Sequence, residues 1–402
     1  MPISKDVQGL LARIKGLRRR ADIAPQEMDR RLLIGPGWTA RFESGEIAPS
    51  IDLVLAMLSV LRVPPGPFLG SHPWSEIAQP AREMYAEPQG DDLIIHFHYA
   101  DHDARYRLRD AGIEEFQAVL QELQRGLARL VHRRDDVGNA IQTDSVARTF
   151  LRAVRTWPHA NPSDLWWFLV YRGYCDPFNH PASNARRDFG QSWKRTAGWA
   201  LEEVLVRHYG PYLKSRGVNL FIASGPRKLN LLRQLRVEGR VEADKVDVLL
   251  TGAIARKELC FGVVHVKASF AERRTDDQPL SQALIRAGYA SPLWTMDCKS
   301  TPSAEPLNRG ELGAASDANA RSAKRKDIED DGYFSACFSY NANTIPTPPN
   351  QPAKARIFVC DFRDPNDSFS GYIVSEWGRA AQGAGRPAAV PPPALHSKPR
   401  RA

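Results

Sequence analysis

Residues 244–277, DKVDVLLTGAIARKELCFGVVHVKASFAERRTDD, constrain the fold more than any other stretch of the chain. Two apolar, β-branched runs, 246–250 and 261–266, flank a short polar connection. That is the pattern of a hairpin at the heart of a mixed sheet. Asp247 sits in the first run and Lys267 closes the second. Adjacent strands bring such a pair to one point, where a carboxylate holds a divalent metal and an ammonium stabilises charge or positions a water. Phosphodiester hydrolysis needs those parts. Acid and lysine at two solvated strand ends is the plainer account of the same residues.

A chain of 402 residues has material for two or three domains. Its 25% charged and 43% hydrophobic residues describe a globular protein. A formal charge of +9 suits a polyanionic partner, although ribosomal, membrane-surface and metabolic proteins share such a balance. The five cysteines, Cys175, Cys260, Cys298, Cys337 and Cys360, form no CxxC pair, which argues against a zinc knuckle or a disulfide framework. No apolar span is long enough to cross a membrane and no secretory leader is apparent. The expected setting is the cytoplasm.

The N-terminal 65 residues read as four or five short helices. Leu10, Leu11, Ile14 and Leu17 make one stripe, and a second helix from Ala24 carries Met28, Leu32 and Leu33. Gly35-Pro36-Gly37 turns the chain into a third helix over 38–43, and Pro49-Ser50 introduces a fourth. Gln26-Glu27-Met28, Phe42-Glu43-Ser44-Gly45 and Pro49-Ser50 together resemble the helix-turn-helix domain of the lambda-repressor and Cro class. The resemblance implies that Gln26 meets a backbone phosphate and that Pro36, Gly37, Thr39 and Arg41 lie at or near the groove-facing side of the third helix. Asp29 stands where that family has alanine, and a small bundle of this kind also serves protein contacts. Pro64-Pro65-Gly66-Pro67 ends the module.

Farther on, residues 91–110 suit an edge hairpin bearing His96 and His98, while 113–130 and the Val146, Phe150, Val154, Trp157 spacing suit helices. Trp166, Trp167, Phe168, Tyr171 and Tyr174 are expected to pack in a core. Residues 185–213 hold an amphipathic helix with Leu201, Val204 and Leu205 on its buried stripe and either Glu202 or Glu203 beside it. Residues 321–326, RSAKRK, read as a solvated basic helix or loop, and 356–360 and 372–374 as late strands.

The order Glu202 or Glu203, Asp247, Lys267 resembles the PD-(D/E)xK nucleases, a superfamily that includes type II restriction endonucleases. The position two before the lysine, where an acid is the rule, holds His265. The chain is further similar to the restriction enzymes that read CCGG-containing sites, in which that acid is recruited from elsewhere. Lys267-Ala268-Ser269, followed by Glu272-Arg273-Arg274, carries this likeness. The resemblance implies a mixed α/β catalytic core, a Mg2+ ion held by Asp247, Glu202 and Glu272, and catalysis by Asp247, Lys267, Glu202 or Glu203, and Glu272. Glu272, Arg273 and Arg274 would alternatively read bases. Asp276 and Asp277 are further candidate ligands.

The expected organisation is a helix-turn-helix domain over 1–65, a mixed linker and DNA-contact region over 66–180, a catalytic domain over 181–380, and a flexible tail over 381–402. The function implied is site-specific cleavage of double-stranded DNA by a homodimer at a palindrome. A non-catalytic regulator on a decayed nuclease fold, and a repair or structure-selective nuclease, are the alternatives.

Overall fold

The computed structural model describes residues 5–63, 68, 84–99, 102–130, 136–176, 179, 189–222, 225–235, 237, 246–269, 274–299, 306–313 and 321–384. Four helices open the chain: α1 (Lys5–Arg20), α2 (Pro25–Leu32), α3 (Trp38–Glu43) and α4 (Ile51–Val60). Their apolar stripes meet in a core of their own around Ile14, Met28, Trp38, Phe42, Val54 and Met57. Asp29 accepts the backbone N–H groups of Gly37 and Thr39, each at 2.7 Å. The carboxylate therefore caps α3, whose preceding Gly37 has φ 84° and offers no side-chain cap. Ser50 caps α4 by accepting the N–H of Leu53.

A three-stranded antiparallel sheet follows, β1 (Met84–Gln89), β2 (Asp92–Tyr99) and β3 (His102–Leu108). It packs with α5 (Ile113–Ala128), α6 (Asp136–Thr156) and the π-helix Leu165–Tyr171. The aromatic run is core, as expected: Trp166 lies edge-on to Phe150, and Phe168 stacks on Phe97. Arg172 is buried among these rings, 4.8 Å from Tyr171 and 5.3 Å from Phe97, a cation placement the run itself does not announce.

The second sheet has six strands in the order β4-β5-β6-β7-β8-β9. These are β4 (Val218–Phe221), β5 (Val248–Ile254), β6 (Lys257–Lys267), β7 (Leu293–Thr295), β8 (Cys337–Ser339) and β9 (Ile357–Val359). β4 to β6 pair antiparallel and β6 to β9 parallel. The expected hairpin is β5–β6, turning at Ala255 and Arg256 with φ of 48° and 65°. Positive φ at both central residues is what a two-residue turn needs to match strand twist. At Gly262 an added Cβ would lie 2.3 Å from the carbonyl oxygen of Ala290, so only glycine lets the chain after the following helix return this close.

Helix α7 (Phe189–Ser215) covers this sheet with Leu201, Val204 and Leu205 buried. It is followed by α8 (Gly225–Leu232), α9 (Arg274–Arg286) between β6 and β7, α10 (Ala323–Glu329), and α11 (Ser368–Ala384). One continuous core joins residues from Met84 to Ile373, so the regions read as 66–180 and 181–380 share a single interior. The late strand expected at 372–374 is instead part of α11, which continues to Ala384, past the tail boundary at 381. Its Trp377 packs on Gly252 of β5.

The basic run over 321–326 enters a helix with Lys326 exposed as expected, but its arginines are not free in solvent. Arg325 is fully buried, pairs with Glu329 at 2.7 Å and donates to the carbonyl of Leu312, and Arg321 pairs with Glu329 and Asp330. Four residues separate Arg325 from Glu329, one helical turn, which was the available signal.

Candidate active site

The backbone ladder of β5 and β6 begins at Val248 opposite Val264. Asp247 lies just before it, and its Oδ2 takes the next N–H of β6, that of Val266, at 2.8 Å. The same oxygen receives the Lys267 ammonium at 2.9 Å. The neighbouring carbonyl of Val246 accepts from Lys228 of α8 at 2.7 Å. The chain entering β5 is thus held by side chains, with its carboxylate turned toward the lysine.

Lys267 has a second acid. Asp277, in the first turns of α9, lies 3.0 Å from its Nζ, and both side chains are largely buried. Burial works against the ammonium, but Asp247 and then Asp277 outweigh it and hold its pKa above the ordinary lysine value. Glu202 of α7 faces this group. Burial, then the negative field of Asp247, pushes its carboxyl up to about 8, against the opposing pull of Lys267 and Lys228.

Of the two adjacent glutamates, Glu202 is the one within the field of Asp247 and Lys267. Glu203 turns to another face of α7 and pairs with Arg207 at 2.9 Å, beside a cleft of about 480 Å³ lined also by Asp136, Asp144 and Trp199. Asp277, one of the further candidates, is the acid brought to the lysine. Glu272 and Arg273 lie outside the described residues, as do the side chains of Arg274 and Asp276.

His265 is wholly buried. Its Nε2 lies 3.0 Å from Ser291 Oγ, and Phe334 stands edge-on to the ring at 5.3 Å. Burial pushes its pKa down, against Asp277 and Asp247. Among the described residues no three His, Cys, Asp or Glu side chains converge closely enough to enclose an ion by themselves.

In the N-terminal bundle, Gln26 is exposed, and Arg41 is partly exposed and 3.5 Å from Glu46. Thr39 is fully buried beneath Asp29 and cannot reach a DNA groove. Its place on a six-residue helix between buried Trp38 and Phe42 explains why. His96 bonds Glu87 and stacks on Tyr85, while the side chain of His98 lies outside the described residues.

A sheet-borne acid and lysine at the end of a mixed sheet match the arrangement expected of a nuclease core, and the comparisons carry that class to a family. The chain is 38% identical over 241 residues to the type II restriction enzyme AgeI of Thalassovita gelatinovora, a match spanning 58% of this chain and 84% of that protein. It belongs to the type II restriction endonucleases and is a sequence-specific, DNA-binding endonuclease. The solved structure of a specific AgeI–DNA complex superposes with a TM-score of 0.61 and 32% identity, covering 70% of this chain and 99% of that one. A pre-specific BsaWI–DNA complex aligns at a TM-score of 0.30 and 16% identity and carries no argument. No family model matches the chain.

Proposed function

We propose that the protein hydrolyses both strands of duplex DNA at a palindromic, CCGG-containing site, with Asp247, Asp277, Glu202 and Lys267 as its catalytic group. The observation that carries this is the Lys267 ammonium held between two carboxylates at 2.9 and 3.0 Å.

Two carboxylates share the Lys267 ammonium, and Glu202 lies in their field, its carboxyl raised first by burial and then by Asp247 against the pull of Lys267 and Lys228. Hard oxygen donors with unspent charge fit a divalent cation, here assigned as Mg2+, which commonly takes one or two carboxylates and completes its shell with water and substrate oxygens. Asp247 and Asp277, with Glu202 facing them, would hold it, and it would supply Lewis-acid chemistry at phosphorus and activation of a water. Lys267 is the residue that acts on substrate directly: its ammonium donates to the phosphate oxygens as charge builds during in-line attack. Asp247 and Asp277 orient that ammonium before DNA arrives. The products carry 5′-phosphate and 3′-hydroxyl ends.

The CCGG assignment is supported by Lys267-Ala268-Ser269 with Glu272-Arg273-Arg274 just beyond, where arginine suits the guanine edge and carboxylate the cytosine N4. A palindrome calls for two-fold symmetry, hence a homodimer. The N-terminal bundle is assigned as a helix-turn-helix that touches DNA through Gln26 and Arg41, an addition in keeping with a chain longer than the solved AgeI chain. The working compartment is the cytoplasm, and no described helix is long and apolar enough to cross a membrane.

Digestion of a mixed-sequence plasmid with Mg2+, beside the Lys267→Ala variant, tests the reading. Discrete fragments from the parent and none from the variant are expected, with end-sequencing placing the cut in a CCGG-containing palindrome. A ladder without sequence preference, or equal cutting by the variant, overturns it.

A further inference from the structure

His265 stands two residues before Lys267, so both project from the same face of β6. Asp277 and Ser281 stand four apart on α9, so they too share a face. The two pairs meet. Lys267 bonds Asp277 at 3.0 Å, and His265 Nε2 reaches Ser291 Oγ at 3.0 Å, which in turn lies 2.7 Å from Ser281 Oγ. Ser291 is itself held, its N–H donating to Ser335 Oγ at 2.9 Å. Strand and helix are therefore tied twice along one line, once by charge at the catalytic group and once by neutral hydrogen bonds beneath it.

We propose that His265 is a positioning residue for cleavage: through Ser291 and Ser281 it pins α9 to β6 and so fixes the Asp277 carboxylate beside Lys267. The inference rests on the reading of Asp277 as an acid of the metal site.

Proton bookkeeping supports the direction of the tie. Among the described residues Nδ1 of His265 is buried without a hydrogen-bond partner. A buried N–H left unpaired is costlier than a buried lone pair. The proton therefore sits on Nε2 and is donated to Ser291, whose hydroxyl passes its own to Ser281. Ser281 Oγ lies 3.5 Å from the carbonyl of Ser291 and closes the chain. Glutamine at 265 reproduces the donor of Nε2 and leucine does not. Removing such a supporting bond from a metal ligand's surroundings costs about 10- to 100-fold in affinity or activity.

The test uses full-length protein and two readouts, Mn2+ affinity by electron paramagnetic resonance and single-turnover plasmid cleavage with Mg2+. Asp277→Asn reports on the acid itself and is expected to weaken Mn2+ binding by about tenfold or more. His265→Leu and Ser281→Ala should each weaken Mn2+ binding and slow cleavage by about tenfold, with duplex affinity unchanged, while His265→Gln stays within about threefold of the parent. If Asp277→Asn binds Mn2+ like the parent, the acid assignment fails and the positioning role falls with it. If Asp277→Asn loses Mn2+ but His265→Leu and Ser281→Ala retain it, only the positioning role is overturned. Should His265→Leu not fold, Ser281→Ala with His265→Gln decides the matter.

Discussion

At the C-terminal ends of the parallel strands the sheet carries two groups of buried acids, and they spend their charge in opposite ways. Beyond β7, Asp297 accepts the N–H of Glu311 at 2.6 Å and the hydroxyl of Thr344 at 2.7 Å. Asn341 donates to the Asp297 carbonyl at 3.0 Å, and Asn308 donates to Asp164 at 2.9 Å and to Ser163 at 2.7 Å. Burial pushes Asp297 up to about 6 and Asp164 up to about 7, but the partners opposing burial are neutral amides, hydroxyls and backbone N–H groups. At the end of β6 one lysine is shared by two aspartates, one of which also takes the Val266 N–H, with Glu202 in their field. Neutral donors in matched number make a joint between loops. A lysine between two aspartates is the arrangement proposed above to meet substrate and cation.

The two groups should therefore fail differently when an acid is removed. Glu202→Gln should lower the single-turnover cleavage rate by at least about a hundredfold, since an uncharged amide cannot supply the missing carboxylate. Its effect on stability has the other sign. A carboxyl raised from 4.5 to about 8 holds its proton more tightly folded than unfolded, so its contribution to stability is present below about 4.5 and is lost as pH rises toward 8. Urea melts should show that slope in the parent, a flatter one in Glu202→Gln, and a gain in stability of the variant at pH 8. A loss at pH 8 would place Glu202 in a satisfied network like that of Asp297.

Asp297→Ala should cost about 2–3 kcal/mol in a urea melt by stranding the Glu311 N–H and the Thr344 hydroxyl, while cleavage per folded molecule stays near the parent's. Gly310→Ala probes the same joint more gently. A Cβ there would sit 2.3 Å from Asp297 Oδ2 at a φ of 77°, so a loss of about 1–2 kcal/mol is expected from the same melt. The smallest effect belongs to Glu203→Gln, which removes a partly exposed pair with Arg207. Less than about threefold in cleavage rate and about 0.5 kcal/mol or less in stability should follow. A hundredfold loss of cleavage there would undo the separation of the two adjacent glutamates.

Several parts of this arrangement were legible from residues alone because they depend on local spacing. The β5–β6 hairpin, the stripe of α7 and the four N-terminal helices follow from periodicity and turn residues. Other readings failed where short-range pattern was ambiguous. Residues 372–374 are apolar and β-prone but belong to a 17-residue helix, because Phe369 and Ile373 recur at helical spacing toward the core. The basic run at 321–326 looked solvated because the partners of its buried arginine, Glu329 and the carbonyls of Leu312 and Ile345, lie outside it on both sides in the chain. Thr39 matched a reading-helix position by motif, yet the Asp29 cap draws it inward.

By itself, then, the amino-acid order determined the β5–β6 hairpin and the N-terminal helices, and that Asp247 and Lys267 meet, since a hairpin brings its own two strands together. Which second acid joins them was decided only in three dimensions. Asp276 and Asp277 are neighbours in sequence, as are Glu202 and Glu203, and no local rule separates the members of either pair. A helix turns about 100° per residue, so the packing of α9 on the sheet sets Asp277 beside Lys267, and that of α7 turns Glu203 toward Arg207. The same packing sets His265 against Ser291, a contact between residues 26 apart that no motif records.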